Sequence, residues 1–252
     1  MITKTATVLD FNSSSQLSDH INQYLDVALQ KENDKITPRS YLGGSRLGVE
    51  CERALQFEFY NVPKDEGKGF SGRVLRIFAR GNWIEDAMIQ WMISAGFLVK
   101  TRGKDGKQFE FSIMDGKIKG HVDGVIVGGP APFQPYPRLW ECKGIQEKDW
   151  KALTKEKLRK KYPVYYGQCQ IYMAYMDLTD NPALFSAVNM NTMEIYWEEI
   201  PFDPKAAQEL SDKGVRIIQA CEAGDLLPRI SNDPNFFKCK WCDWSERCFS
   251  IS

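Results

Sequence analysis

The chain has 252 residues, 43% of them hydrophobic and 12% aromatic, enough apolar material for one large core or two modest ones without disulfides. Its 33 basic and 33 acidic residues cancel, so no net field draws it to a membrane or to nucleic acid, and an electrostatic partner must be met by a local patch. The opening MITKTATVLDFNSSS lacks the basic start and apolar stretch of an export signal, and no apolar run can cross a bilayer. This predicts a cytoplasmic protein with no membrane partner, whose seven cysteines are reduced thiols or metal ligands rather than a disulfide framework.

A first helix is predicted over SQLSDHINQYLDVALQKE, where Leu17, Ile21, Leu25 and Leu29 recur every four residues as one apolar stripe. It is expected to pack as an outlying element. Ser45 is placed to cap a second helix, RLGVECERALQFEFY, with Leu47, Cys51 and Leu55 on one face and Cys51 turned inward. After a Gly-rich charged connection, RVLRIFARGNWIEDAMIQWMISAG reads as a long buried helix ended by Gly96, with Gly81 and Glu85 one turn apart. The period then changes. QFEFSIM and KIKGHVDGVIV alternate or run apolar, and Asp115-Gly116 between them marks a hairpin turn. Four prolines make GGPAPFQPYP a loop before RLWECKGI, a third short strand. KDWKALTKEKLRKK and YYGQCQIYMAYMDL read as helices, PALFSAVNMN and MEIYWEEIP as a hairpin, PKAAQELSDKGVRIIQACEAG as a helix, and the cysteine-rich end as irregular structure.

Successive strand side chains face opposite ways, so Glu141 and Lys143 project together while Cys142 points away. In the preceding strand His121 and Asp123 are likewise two apart and are expected to share a face. Carboxylates among apolar strand residues are costly unless paired or bound to metal, and adjacent acids raise one another's pKa. A divalent cation removes both problems, since Mg²⁺ prefers oxygen ligands and is commonly held by one or two carboxylates. Taken alone, Glu-x-Lys is a surface ion pair. The ordered set carries more: Gly81 and Glu85 on a helix, Asp123 in a strand, Glu141 and Lys143 in the next, then Gln168 and Tyr172 one turn apart on a helix.

In this order of motifs the sequence resembles the PD-(D/E)xK nuclease superfamily, in its RecB-like branch. Asp123, Glu141 and Lys143 match the signature, with Cys142 between the last two. Gly81 and Glu85 match the upstream helix motif, and Gln168 and Tyr172 the downstream one. Asp123 is not preceded by the proline of the family's name. The resemblance implies an α/β fold, a restriction-endonuclease-like core with a central mixed β-sheet flanked by helices. It implies that Asp123, Glu141 and the Cys142 main-chain carbonyl bind Mg²⁺ or Mn²⁺, that Lys143 acts on the attacking water, and that Glu85 holds metal directly or through water. Gln168 and Tyr172 would brace the site or contact DNA. His121 is a further metal-ligand candidate, set against the commoner role of a hydrogen-bonded neighbour.

Cys239, Cys242 and Cys248 form a C-x₂-C-x₅-C array in FKCKWCDWSERCF. A zinc ribbon would want a second CxxC pair, which the chain lacks, so a fourth ligand must come from upstream. One early cysteine, Cys51, with three late ones resembles the iron-sulfur staple of AddB and CRISPR-associated RecB-like nucleases, which implies a [4Fe-4S] cluster. Zn²⁺ is the alternative, because four thiolates do not discriminate between the two. Such a centre would be structural and would tie the first helices to the tail. Cys142, Cys169 and Cys221 read as small core residues. The expected division is a helical region over 1–72, a nuclease core over 73–224 and a cluster segment over 225–252.

The Lys/Arg-rich KDWKALTKEKLRKKY and Arg73, Arg76 and Arg80 are phosphate-track candidates, with a solvated charged face as the plain alternative. Phe133, Tyr136, Trp140 and Trp150 are aromatic residues that stack on bases or pack in the core. The function expected is a Mg²⁺-dependent DNA exonuclease or end-processing nuclease of phage or mobile-element recombination or repair. A recombinase, annealing protein or helicase is the expected partner, and a homo-oligomer such as a ring-shaped trimer is compatible with it. The alternatives are a site-specific or structure-specific endonuclease on the same fold, and a non-catalytic DNA-binding module held by a metal cluster.

Overall fold

The computed structural model describes residues 14–251. Helix α1 (Ser14–Asp34) is followed by the two-residue strand β1 (Leu42–Gly43), a 3-10 turn (Gly44–Arg46), helix α2 (Glu52–Phe59) and the long helix α3 (Gly72–Ser94). Strands β2 (Leu98–Lys100), β3 (Glu110–Ile113), β4 (Ile118–His121), β5 (Gly124–Gly128) and β6 (Arg138–Ile145) lead to helices α4 (Glu147–Glu156), α5 (Leu158–Lys161) and α6 (Pro163–Tyr175). Then come β7 (Ala183–Asn189), β8 (Ile195–Ile200), α7 (Pro204–Ala223), α8 (Phe237–Lys240) and α9 (Ser245–Ser250). No helix among the described residues is long and apolar enough to cross a membrane.

The larger sheet runs β2-β5-β6-β7-β8 and is mixed, since β6 and β7 are parallel and its other pairs antiparallel. The smaller runs β1-β4-β3, with β1 parallel and β3 antiparallel to β4. Strand β6 is covered on both faces, as a central strand between helical layers must be. Trp140 and Cys142 enter a cluster with Ile84, Met88 and Met92 of α3. On the other side Leu139, Phe185 and Ala187 pack with Ile171, Met173, Ile217 and Ile218 of α6 and α7.

Three expectations change. The segment KIKGHVDGVIV is not one strand: it breaks at Val122 and Asp123, so β4 belongs to the small sheet and β5 to the large one. The pairing with β3 ends at Val122: its N–H still bonds the carbonyl of Phe109, which lies opposite it in register, but its own carbonyl accepts from the Gln108 side chain, and its isopropyl group is fully buried. Second, Ser45 lies in the 3-10 turn and caps no helix; α2 begins at Glu52, with Cys51 as its extended N-cap. Residues 47–49 are held out of helical form by Lys213, whose ammonium donates to the carbonyls of Leu47 and Val49, and by Gly48, which lies against the backbone of Val164. Third, the apolar stripe of α1 is not buried: Leu17, Ile21 and Leu25 are 57%, 53% and 50% exposed. The helix is joined to α3 by the Asp26–Arg76 ion pair and by Asp26 seated against Gly72.

The tail folds back on the first helices. Trp244 donates its indole N–H to the Val62 carbonyl at 2.8 Å, and the Asp65 carboxylate accepts the N–H groups of Glu246 and Arg247 at the start of α9. Phe57, Trp244 and Cys248 form a small core of their own there. A methyl group at position 48 would stand 2.6 Å from the Val164 Cα, and backbone cannot yield as a side chain can. Gly48→Ala is expected to destabilise the fold by about 1–3 kcal/mol, read as a lower urea midpoint with an unchanged m-value; an unchanged midpoint would show that this contact is not required.

Candidate active site

The sheet switch and strand β6 together build the site. Leaving the small sheet, the chain presents Asp123 to β6, where its Oδ2 accepts the N–H of Cys142 at 2.8 Å. Alternation along β6 then sends Glu141 and Lys143 to one face, while Cys142 stays on the α3 side beside Trp140, whose indole donates to Ser186 Oγ at 3.0 Å. Glu141 is 0% exposed. Its carboxylate contacts Lys143 Nζ, and its Oε1 also accepts from the Gln168 amide of α6 at 2.6 Å. Lys143 Nζ stands 3.6 Å from Asp123 Oδ2. Tyr172, one turn after Gln168, is buried with its ring edge-on to Phe111. Glu85 completes the group from α3, close enough to Asp123 and Lys143 for their charges to act on it.

Two carboxyl groups therefore pair with one ammonium, and a third lies within reach of its charge. Burial pushes Glu141 up to about 8, with the Asp123 charge adding to the rise and Lys143 opposing it. Burial, and then Asp123, push Glu85 up to about 7, again against Lys143. Burial alone would lower Lys143, but Asp123 and Glu141 hold it well above its ordinary value, so the amine keeps its proton. The second Glu141 oxygen, Oε2, is buried with no hydrogen-bond partner. An orphaned carboxylate oxygen inside a surplus of acid is costly, and hard oxygen donors of this type suit Mg²⁺ or Mn²⁺. As the side chains stand, Lys143 occupies the ground between Glu141 and Asp123, and no three acid, His or Cys side chains among the described residues close on one point.

The other expected residues separate. His121 does not join the carboxylates: the switch between sheets turns it to Tyr41 Oη at 3.3 Å and to Glu110 at 3.4 Å. Trp140 is fully buried and Trp150 donates to the Ala187 carbonyl, so both serve the core. Much of the basic stretch is paired in place, Lys151 with Glu147, Lys160 with Glu156, Lys161 with Asp149 and Arg159 with Asp203. Tyr165 was not among the expected residues; its ring centre lies 5.5 Å from Lys143 Nζ and 5.1 Å from the Tyr162 ring. Its spacing of three from Gln168, which puts both on one helical face, is the signal that could have found it.

Cys51, Cys239, Cys242 and Cys248 line one cavity of about 550 Å³ between α2 and the tail. Burial, followed by the charges of Cys51 and Cys248, pushes the Cys239 thiol up, and Cys242 rises first through burial. Arg53 reaches Cys248 Sγ at 3.8 Å. The thiols share the cavity without meeting at ligand distance. Cys142, Cys169 and Cys221 are buried as expected of core residues.

The raised carboxyls set a pH dependence. Glu85 and Glu141 keep protons in the folded state that the unfolded chain has already lost, so their contribution is complete below an ordinary 4.5 and is lost as pH climbs through about 7 and about 8. The protein in chelator is expected to melt about 5 °C lower at pH 8.5 than at pH 5.5, with Mg²⁺ abolishing the difference. A flat melting profile in chelator would show that the site carries no such strain.

No protein-family model matches the chain, and no curated protein matches it in sequence. Solved structures do share its fold. The crystal structure of an alkaline exonuclease (LHK-Exo) from Laribacter hongkongensis superposes with a TM-score of 0.50 at 15% identity, covering 80% of this chain and 93% of that one. The same exonuclease in complex with dAMP gives a TM-score of 0.50 at 17% identity, over 73% and 89% of the two chains. The chain thus shares the α/β fold of that exonuclease, and the iron-sulfur branch of the resemblance rests on the cysteines alone.

Proposed function

We propose that the chain is a metal-dependent deoxyribonuclease of the PD-(D/E)xK type that hydrolyses phosphodiester bonds from DNA ends. The observation that carries this reading is the buried Glu141, with one oxygen unpartnered, set beside Lys143, Asp123 and Glu85. A scaffold has no need of such a group, which costs stability unless a cation and an anionic substrate occupy it. That the shared fold belongs to an alkaline exonuclease, also crystallised with dAMP, agrees with a nucleotide product here.

Asp123, Glu141 and Glu85 would hold Mg²⁺ or Mn²⁺, with the Cys142 carbonyl as a further ligand by resemblance. Such an ion would lower the pKa of bound water and offset charge on the phosphoryl oxygens. Gln168 fixes the Glu141 carboxylate through its 2.6 Å hydrogen bond. Lys143, kept protonated by its two acids, serves as a hydrogen-bond donor to the water or to the phosphoryl oxygens rather than as a base. Glu85 would hold that ion directly or through water, and the proton of the attacking water passes to solvent. The water oxygen bonds to phosphorus as the bond to the leaving oxygen breaks, and that oxygen takes a proton from solvent.

On end-labelled linear DNA with Mg²⁺ or Mn²⁺, Lys143→Ala and Asp123→Ala are expected to lower the rate by about 10²–10³-fold or more while keeping the circular-dichroism spectrum of the parent. Degradation of linear but not circular DNA is the expected pattern. Either variant cleaving at the parent rate would end the assignment, and cutting of circles would replace exonuclease with endonuclease.

The four-thiol cavity we read as a structural metal centre, [4Fe-4S] with Zn²⁺ as the alternative, held by Cys51, Cys239, Cys242 and Cys248. Bound there, it would join the start of α2 to α8 and α9 and contribute folding free energy. Protein prepared without oxygen is expected to be brown, absorbing at about 400 nm. Stoichiometric zinc without iron would select the alternative, and neither metal would remove the centre. Phage or mobile-element recombination or repair, beside a recombinase, annealing protein or helicase, is the setting this activity fits.

A further inference from the structure

We propose that the substrate strand crosses helix α3 at Gly81, which is kept bare so that a sugar–phosphate backbone can lie against the helix beside Glu85. The inference rests on the nuclease reading above and adds where the nucleic acid runs. Among the described residues four glycines stand in α-helices, and three have packing reasons: an added Cβ would meet Asp26 at 2.4 Å from Gly72, Leu210 at 3.0 Å from Gly167 and Ile118 at 2.9 Å from Gly214. Gly81 has none. Nothing lies within 4 Å of its missing Cβ, and its φ is not in the left-handed region. Glycine in a helix interior is disfavoured relative to alanine, so neither backbone nor neighbouring protein accounts for it.

Its position supplies the account. Gly81 precedes Glu85 by one turn, and helical side chains lean toward the N-terminus, so the Glu85 carboxylate projects over the turn that contains Gly81. The free space thus borders the acid cluster rather than bulk surface. Arg80 immediately precedes Gly81, and Arg73, two turns before Arg80, shares that arginine's face. Neither has an ion pair or hydrogen bond among the described residues, whereas Arg76 between them is tied to Asp26. Two unpaired guanidinium groups beside a bare stretch of helix complement a phosphate backbone, and contacts of this kind position a strand without reading its sequence.

The test compares wild type, Gly81→Ala and Gly81→Leu for melting temperature, Mn²⁺ binding, DNA binding by fluorescence anisotropy in Ca²⁺, and cleavage in Mg²⁺. Gly81→Ala is expected to melt about 2 °C higher yet bind and cleave DNA about tenfold less well, and Gly81→Leu about a hundredfold less well, with Mn²⁺ binding unchanged in both. Activity lost while stability rises cannot be ascribed to misfolding. A Gly81→Ala variant that melts lower than wild type, or a Gly81→Leu variant that binds and cleaves like an active wild type, overturns this inference and leaves the nuclease reading standing. If wild type binds DNA without cleaving it, the nuclease reading fails while loss of binding in Gly81→Leu still supports the strand path. If wild type does neither, both fall.

Discussion

The hydrogen bond from the Cys142 N–H to Asp123 Oδ2 is the constraint on which the site depends, because it is made where the chain passes between two sheets. A strand running straight from β4 into β5 would keep both backbone groups of Val122 in one ladder and give Asp123 no reason to face β6. By breaking there, the chain delivers a carboxylate to the centre of the larger sheet, beside Glu141 and Lys143. The two glycines that flank the break, Gly120 and Gly124, are crowded by Phe111 and Tyr172 on one side and by Trp140 on the other. The turn is thus packed as tightly as the strands it joins.

Around that point the two helical layers have different tasks. Helix α6 braces: Gln168 orients Glu141, Tyr172 fills the space behind it, and Tyr165 covers Lys143. Helix α3 supplies the third acid and, through Ile84, Met88 and Met92, covers the opposite face of β6. The electrostatic outcome is a site under tension. Two carboxyls are pushed toward neutrality by burial and by the Asp123 charge while a single lysine stays charged. Catalytic centres are where such tension is commonly stored.

How much of this could be read in advance follows from the physics of each signal. Period-two alternation in RLWECKG placed Glu141 and Lys143 together and Cys142 away, because pleating leaves a strand no other choice. The long helix α3 and the hairpin of β7 and β8 were legible from their periods, but α3 is not the buried helix expected: it covers β6 with one face and leaves Phe78 and Trp83 48% and 70% exposed. The break at Val122 and Asp123 was not, since the Val122 carbonyl ends its ladder on the side chain of Gln108, a partner that no local pattern marks. With it went the expected companionship of His121 and Asp123. The start of α2 was hidden too, because Lys213, far along the chain, takes the carbonyls that would otherwise continue the turn. The α1 stripe shows the opposite failure: a helical period predicts a helix, but it does not supply the surface that would bury it.

Asp123, Glu141 and Glu85 are proposed to form one divalent-cation site. It is tested most directly by titrating Mn²⁺ into metal-stripped protein at about pH 8 and following free Mn²⁺ by electron paramagnetic resonance. The isosteric Glu141→Gln variant is measured beside the parent. The expected result is a site in the parent that is weakened at least tenfold, roughly 1.4 kcal/mol, in the variant. Equal binding by the two proteins, or none by the parent, would contradict it.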